Sequence, residues 1–283
     1  MQPATAAAEA VAAATAAAAA PGSPDALSAA SAAAAPLAGV ALALDRIEYF
    51  ILVPMVYIAF AFSLAAAIAV VARAFRRPPP YQLAVYPTGR RPFLGALRDA
   101  FGMGTVRKRA PLFWAFLAVF HVGLVLLFLG HLDILPGVDI LPPESRHMLG
   151  AGLVGVMVTV PAFYFLGRRF GGLRRQVSVP SDYLLLLLLI FLFLLGDLMS
   201  WGNSWTRSGF VMTKADFALY FQGLARFTFA DPRKVLHGSH YHFVALHVLA
   251  ANLFVMILPF SKIVHAFFSI PLNAFRRTVW ERR

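Results

Sequence analysis

The sequence predicts an all-α membrane protein of five transmembrane helices, with the N-terminus outside and the C-terminus in the cytoplasm. Three observations predict it. Of the 283 residues, 60% are hydrophobic and only 13% charged, whereas a soluble domain carries roughly 25% charge. The apolar residues gather into five runs, each long enough to cross about 30 Å of hydrocarbon at about 1.5 Å of rise per residue. Lys and Arg gather in alternate connections between those runs, the distribution that orients a membrane protein. The formal charge of +12 therefore reads as membrane patterning, and nucleic acid is not expected as a partner.

Taken in order, residues 1–44 form an Ala-rich, low-complexity tail, expected to be disordered because Ala offers little apolar surface to bury. No Lys or Arg precedes its apolar stretch, and the first basic residue is Arg46, so it lacks the pattern of a signal peptide. Residues 45–283 form the five-helix domain, with spans near 48–72, 112–132, 148–167, 182–201 and 242–268. Pro54 is tolerable near the start of the first span. The fourth contains a Leu run and Asp197 near its far end. Pro259 and Lys262 interrupt the last, which predicts a kink or a break there.

The charge count fixes the expected orientation. Arg73, Arg76, Arg77, Arg90, Arg91, Arg98, Arg107, Lys108 and Arg109 follow span one, and Arg168, Arg169, Arg174 and Arg175 follow span three. The connection after span two carries Asp133, Asp139 and Glu144 against Arg146 alone. The basic stretch from Arg76 to Arg109 is the natural docking surface for a soluble partner on the inner side.

Cysteine is absent. That excludes disulfides, zinc–thiolate sites, Cys-held iron–sulfur clusters and the C-x-x-C-H haem attachment. Any redox centre here is held non-covalently by His or Met, or belongs to another subunit.

Ionisable groups inside a bilayer are costly and suggest function. Four of the eight histidines fall within or at the ends of apolar spans: His121 and His131 in the second, His247 and His265 in the fifth. Because those spans run antiparallel, His121 is expected to face His265 near the inner side, and His131 to face His247 near the outer side. On straight helices the two spacings correspond to rises of about 15 Å and about 27 Å, so tilt or a break at Pro259 must absorb the difference. Paired neutral imidazoles suit a haem iron used for electron transfer. Gly123 and Gly130, two turns apart beside the ligands, would admit a flat cofactor. Read from the residues alone, packing or proton-relay histidines remain the alternative, and with them a proton-coupled transporter or channel. Transporters usually carry internal repeats, and the sequence has none. His237, His240 and His242 crowd the start of span five as interfacial or quinol-lining candidates, and Asp133 and Asp197 are candidates for proton release.

Phe120-His121-Val122-Gly123, Gly130-His131, Leu246-His247-Val248-Leu249 and, most specifically, Leu258-Pro259-Phe260-Ser261-Lys262-Ile263-Val264-His265 resemble the gamma subunit of respiratory nitrate reductase and its wider family. That family includes menaquinol-oxidising subunits of sulfate-reducer redox complexes. The resemblance covers about residues 46–283. It implies a dihaem cytochrome b of the prokaryotic cytoplasmic membrane that oxidises quinol, menaquinol or ubiquinol. It implies that His131 and His247 ligate an outer, lower-potential haem b and His121 and His265 an inner, higher-potential one. It implies a quinol site near Arg146 or His147. Its implied partners are a cytoplasmic iron–sulfur subunit and a catalytic subunit. The connection over about 202–241, with Trp201, Trp205, Tyr220 and Phe221, is longer and more aromatic than the nitrate enzyme leads one to expect.

Overall fold

A computed structural model describes residues 39–76, 92–140, 152–205, 214–236, 241–265, 269–270 and 274. The Ala-rich tail, apart from its last residues, lies outside the described residues, as do Arg146, His147, His237 and His240. Every regular element among the described residues is helical.

Helix α1 spans residues 39–52 and α2 Pro54–Arg76. On the connection that follows lie α3, Pro92–Gly102, and α4, Gly104–Arg109, joined through Met103 at φ 40°. Helix α5 is Pro111–Asp133, α6 Leu153–Arg169 and α7 Gly172–Val177. Helix α8 is Pro180–Trp205, α9 Lys214–Ala225 and α10 Tyr241–Ile257. Proline opens α2, α3, α5 and α8, the position where its missing N–H costs nothing and its fixed φ already suits the helix.

Four helical stretches are long and apolar enough to cross a membrane: Gly39–Arg73, Pro111–Asp133, Pro180–Trp201 and Tyr241–Phe260. The chain is a multi-pass membrane protein. The predicted span at 148–167 is met by α6, whose 17 described residues fall just short of the roughly 20 needed to cross. Residues 148–151 of that span lie outside the described residues. Many large apolar side chains on these helices are exposed, among them Phe60, Leu64, Phe128 and Leu184, as expected where lipid is the solvent.

The expected interruption of the last span is a break. Helix α10 stops at Ile257, and two 3-10 turns follow, Leu258–Phe260 and Lys262–Val264, separated by Ser261 in extended conformation. Pro259 cannot donate to the i−4 carbonyl. Ser261 stabilises the break, its hydroxyl donating to the Leu258 carbonyl at 3.0 Å and accepting from Ile263 N at 3.2 Å.

The chain forms two compact units, each assembled from three stretches of sequence. The first comprises Met1–Tyr57, Leu129–Ala151 and Leu195–Leu249. Its core gathers Leu52, Val53, Tyr220, Leu236, Tyr241, Val244 and Ala245. The connection before span five is thus not a plain loop, since α9 buries Tyr220 in it. The Tyr220 hydroxyl donates to the Leu52 carbonyl at 2.5 Å, beside Pro54. Burial, with Tyr241 and Tyr57 nearby, pushes the Tyr220 phenol well above its ordinary pKa, so it stays a neutral donor. The second unit comprises Ile58–Phe128, Gly152–Leu194 and Ala250–Arg283. Its core gathers Val158, Ala162, Leu189, Ile190 and Phe193.

Candidate functional site

In the first unit, His131 from the last turn of α5 meets His247 of α10, with ring centroids 6.3 Å apart and planes 12° from parallel. In the second, His121 of α5 meets His265, just past the Pro259 break, at 6.4 Å and 65°. The two pairings expected from antiparallel helices are both present. The straight-helix rise between His247 and His265 does not apply, because α10 ends before His265.

The separations have a chemical meaning. An imidazole nitrogen bonds a metal at about 2 Å, and the ring centre lies about 1 Å farther, so one metal atom between two rings holds their centroids roughly 6 Å apart. Packing alone would place no such constraint on both pairs.

The ring orientations agree. His121 Nδ1–H donates to the Leu117 carbonyl at 2.7 Å, and His265 Nδ1–H to the Lys262 carbonyl at 2.6 Å. A backbone acceptor on Nδ1 selects the tautomer whose Nε2 carries a lone pair, the usual second contact of a metal-binding histidine. Among the described residues no group of three or more His, Asp or Glu gathers to hold a bare metal ion. A pair of facing imidazoles would suit a group that brings its other ligands with it, as a haem does.

The glycines sort differently. A Cβ on Gly123 would meet Val158 Cγ1 at 2.8 Å and Met157 Cβ at 3.1 Å. That residue lets α5 and α6 approach closely, which is by itself a sufficient reason for glycine there. The glycine beside a paired histidine is Gly196 of α8, where a Cβ would stand 3.4 Å from His247 Cε1. Its signal in the sequence was a lone glycine inside an unbroken Leu and Phe run. Gly130 is half-buried.

Two ion-pair networks flank the ligand-bearing segments. In the first unit Lys214 Nζ reaches Asp133 at 3.1 Å, Asp139 at 3.0 Å and the Val138 carbonyl at 3.3 Å, while Ile140 N donates to Asp133 at 2.9 Å. This fastens the end of α5, two residues past His131, to α9. Asp133 is therefore engaged in a structural network, and Asp197 is buried. In the second unit Asp182 accepts from Arg169 at 3.0 Å and from Lys262 at 2.8 Å. Lys262 is the residue whose carbonyl orients His265.

A third network, which the sequence did not signal, joins α1 to the start of α10. Glu48, buried on an apolar helix, hydrogen-bonds His242 Nδ1 and accepts from Arg233 at 2.8 Å. Arg233 also pairs with Asp45 at 2.5 Å and lies 4.8 Å from the Tyr241 ring centre. Burial works against the Arg233 charge, but Glu48 and Asp45 outweigh it and hold its pKa above the ordinary value.

Comparison with known proteins agrees with this geometry. A sequence model of the nitrate reductase gamma subunit family matches residues 105–283, a stretch that holds all four paired histidines. The chain is also 27% identical, over 172 residues, to the Hdr-like menaquinol oxidoreductase cytochrome b-like subunit of Archaeoglobus profundus, an alignment covering 54% of this chain and 46% of that protein. It thus spans about half the length of that relative. With the family match extending over more than half of its length, the chain belongs to the nitrate reductase gamma subunit family.

Proposed function

We propose that this protein is the membrane-anchoring, quinol-oxidising cytochrome b subunit of a multi-subunit oxidoreductase. It binds two haem b and serves a cytoplasmic iron–sulfur subunit joined to a catalytic subunit of a respiratory reductase complex. The observation that carries the reading is the presence of two histidine pairs, each at the spacing of a single shared metal atom. Haem, when bound, supplies one-electron chemistry between a two-electron quinol and a one-electron acceptor.

The protein's own part is to hold and orient. His121 with His265, and His131 with His247, would each hold one haem. Backbone carbonyls hold the inner pair in the ligating tautomer, and Gly196 keeps side-chain bulk away from His247. In this reading α6 and the residues before it complete a fifth crossing, the N-terminus is outside, and Arg146 and His147 sit at the quinol site on the outer side. The name of the archaeal relative favours menaquinol as the substrate. The basic inner segments, including Arg107, Lys108 and Arg109, offer a surface for an acidic partner.

Pyridine haemochrome analysis of the purified protein should give two non-covalent haems per chain. Zero haem would leave the histidines as proton-relay or packing groups and overturn the reading. So would covalently attached haem.

A further inference from the structure

We propose that His242, backed by Glu48, is the group that accepts the hydroxyl proton of the quinol; this deepens the function proposed above and rests on it. The Glu48 side chain is 5% exposed on a helix apolar enough to cross a membrane. A carboxylate in that setting is expensive and is held by specific partners. One oxygen takes the Arg233 guanidinium and the other takes His242 Nδ1.

A carboxylate only accepts, so the His242 proton lies on Nδ1 and the lone pair on Nε2. This is the arrangement by which a buried acid turns an imidazole into a directed base. The His242 side chain is 38% exposed while Glu48 is buried, so the dyad has a closed end and an open one. Asp45 and Glu48 together outweigh Arg233 by one negative charge. The remaining titratable neighbours are Tyr241, whose ring lies against both Arg233 and His242, and Asp231, which acts on Tyr241.

Position supports the assignment. His242 lies five residues before His247 on α10, about 7.5 Å along the axis, so the dyad sits at the same end of the helix as the His131–His247 pair. Nearby backbone is also unusual. Phe227 and Phe229 both adopt left-handed conformations, φ 54° and 50°, which bulky residues rarely tolerate without surrounding restraint. Both are more than half exposed and lie about 5 Å from Tyr57. Tyr49, next to Glu48, holds the Phe229 carbonyl at 3.0 Å. An exposed aromatic surface packed against Tyr57 of a membrane-spanning helix suits a flat, lipid-soluble ring that arrives from the bilayer. Each proton passed this way breaks one quinol O–H bond and forms one N–H bond at His242. The matching electron leaves to a one-electron acceptor of the haem class, and the proton leaves to the aqueous face before the second hydroxyl is taken.

The test separates this proposal from the dihaem reading. Protein fully reduced with dithionite, so that no turnover occurs, is titrated with menadiol and with its dimethyl ether, which has no proton to share. Binding is followed by tryptophan fluorescence. The intact protein should prefer menadiol by about tenfold, the worth of one hydrogen bond to a charge-backed acceptor. Glu48→Gln lets the imidazole tautomer reverse without changing volume, and His242→Phe removes the acceptor. Both should bring the preference to about one while the dimethyl ether binds unchanged. If both variants keep the preference, or if the intact protein has none, the proposal is overturned. Haem content measured on the same samples reports separately. Absent haem with the preference intact would sink the function proposed above and leave the quinol site standing.

Discussion

At the scale of single residues, the histidines differ in what orients them. His121 and His265 are held by backbone carbonyls at 2.7 and 2.6 Å, so their tautomers follow from the local backbone. Replacing one histidine removes one of the two donors of its pair. On the proposed reading, His121→Ala and His265→Ala should each remove the same spectral component of the reduced protein. His131→Ala and His247→Ala should each remove the other. A component lost in both His121→Ala and His247→Ala would break the pairing. Gly123 makes a prediction of a different kind. A Cβ there would press on Val158 and Met157, and Val158 is β-branched and fully buried, so the neighbour has nowhere to go. Gly123→Ala should therefore destabilise by about 1–3 kcal/mol, the usual cost of overpacking. Thermal unfolding in detergent should show the loss. An unchanged midpoint would mean that α5 and α6 separate freely.

At the scale of elements, the break after α10 places His265. Pro259 ends the helix, Ser261 satisfies the broken backbone, and Lys262 is drawn to Asp182 at the start of α8. Arg169, from the end of α6, binds the same carboxylate, and Tyr183 donates to the Arg169 carbonyl at 2.8 Å. Three segments thus converge on one buried acid. Asp182→Asn removes the charge that holds them, at a cost of roughly 2–3 kcal/mol. Its sharper consequence concerns the Lys262 carbonyl, which orients His265. The inner spectral component should shift in potential or bleach, with the outer one unmoved. If both components respond equally, Asp182 serves general stability and does not position His265. In the first unit Lys214 plays the comparable part by fastening the end of α5 to α9. Lys214→Met leaves Asp133 without its main cation, and the loss should fall on the His131 component.

At the scale of the whole molecule, the asymmetry of charge sets the direction of the proposed reaction. Basic residues follow the first, third and fifth spans, while Asp133, Asp139 and Glu144 follow the second. On the proposed orientation, with the C-terminus inside, His131 and His247 belong to the outer side, together with the Glu48–His242 dyad. Quinol protons then leave outside while electrons move inward against the membrane potential, a step that stores about 2.3 kcal/mol per charge per 100 mV. Vesicles reconstituted with the complete complex should acidify their outer-side compartment when a quinol analogue is added with the cytoplasmic acceptor present. Alkalinisation there, or proton release on the cytoplasmic side, would assign quinol to the wrong histidine pair.

The sequence by itself determined the membrane class, the helical content, most span boundaries, the break at Pro259 and the pairing of four histidines. Each rests on local or periodic physics: apolar run length against bilayer thickness, the missing N–H of proline, and the direction in which consecutive spans must run. It did not determine α9 as a helix carrying a buried Tyr220, Gly196 as the glycine beside a paired histidine, or Gly123 as a point of helix contact. Nor did it find Glu48, which reads as one acidic residue in a short polar patch of α1. Those depend on which residues from distant stretches meet. Glu48 meets His242 across 194 positions of sequence, and Lys214 meets Asp133 across 81. A charge reveals its role only when its partner is known, and in a chain whose solvent is lipid that partner is chosen by packing, which no local pattern encodes.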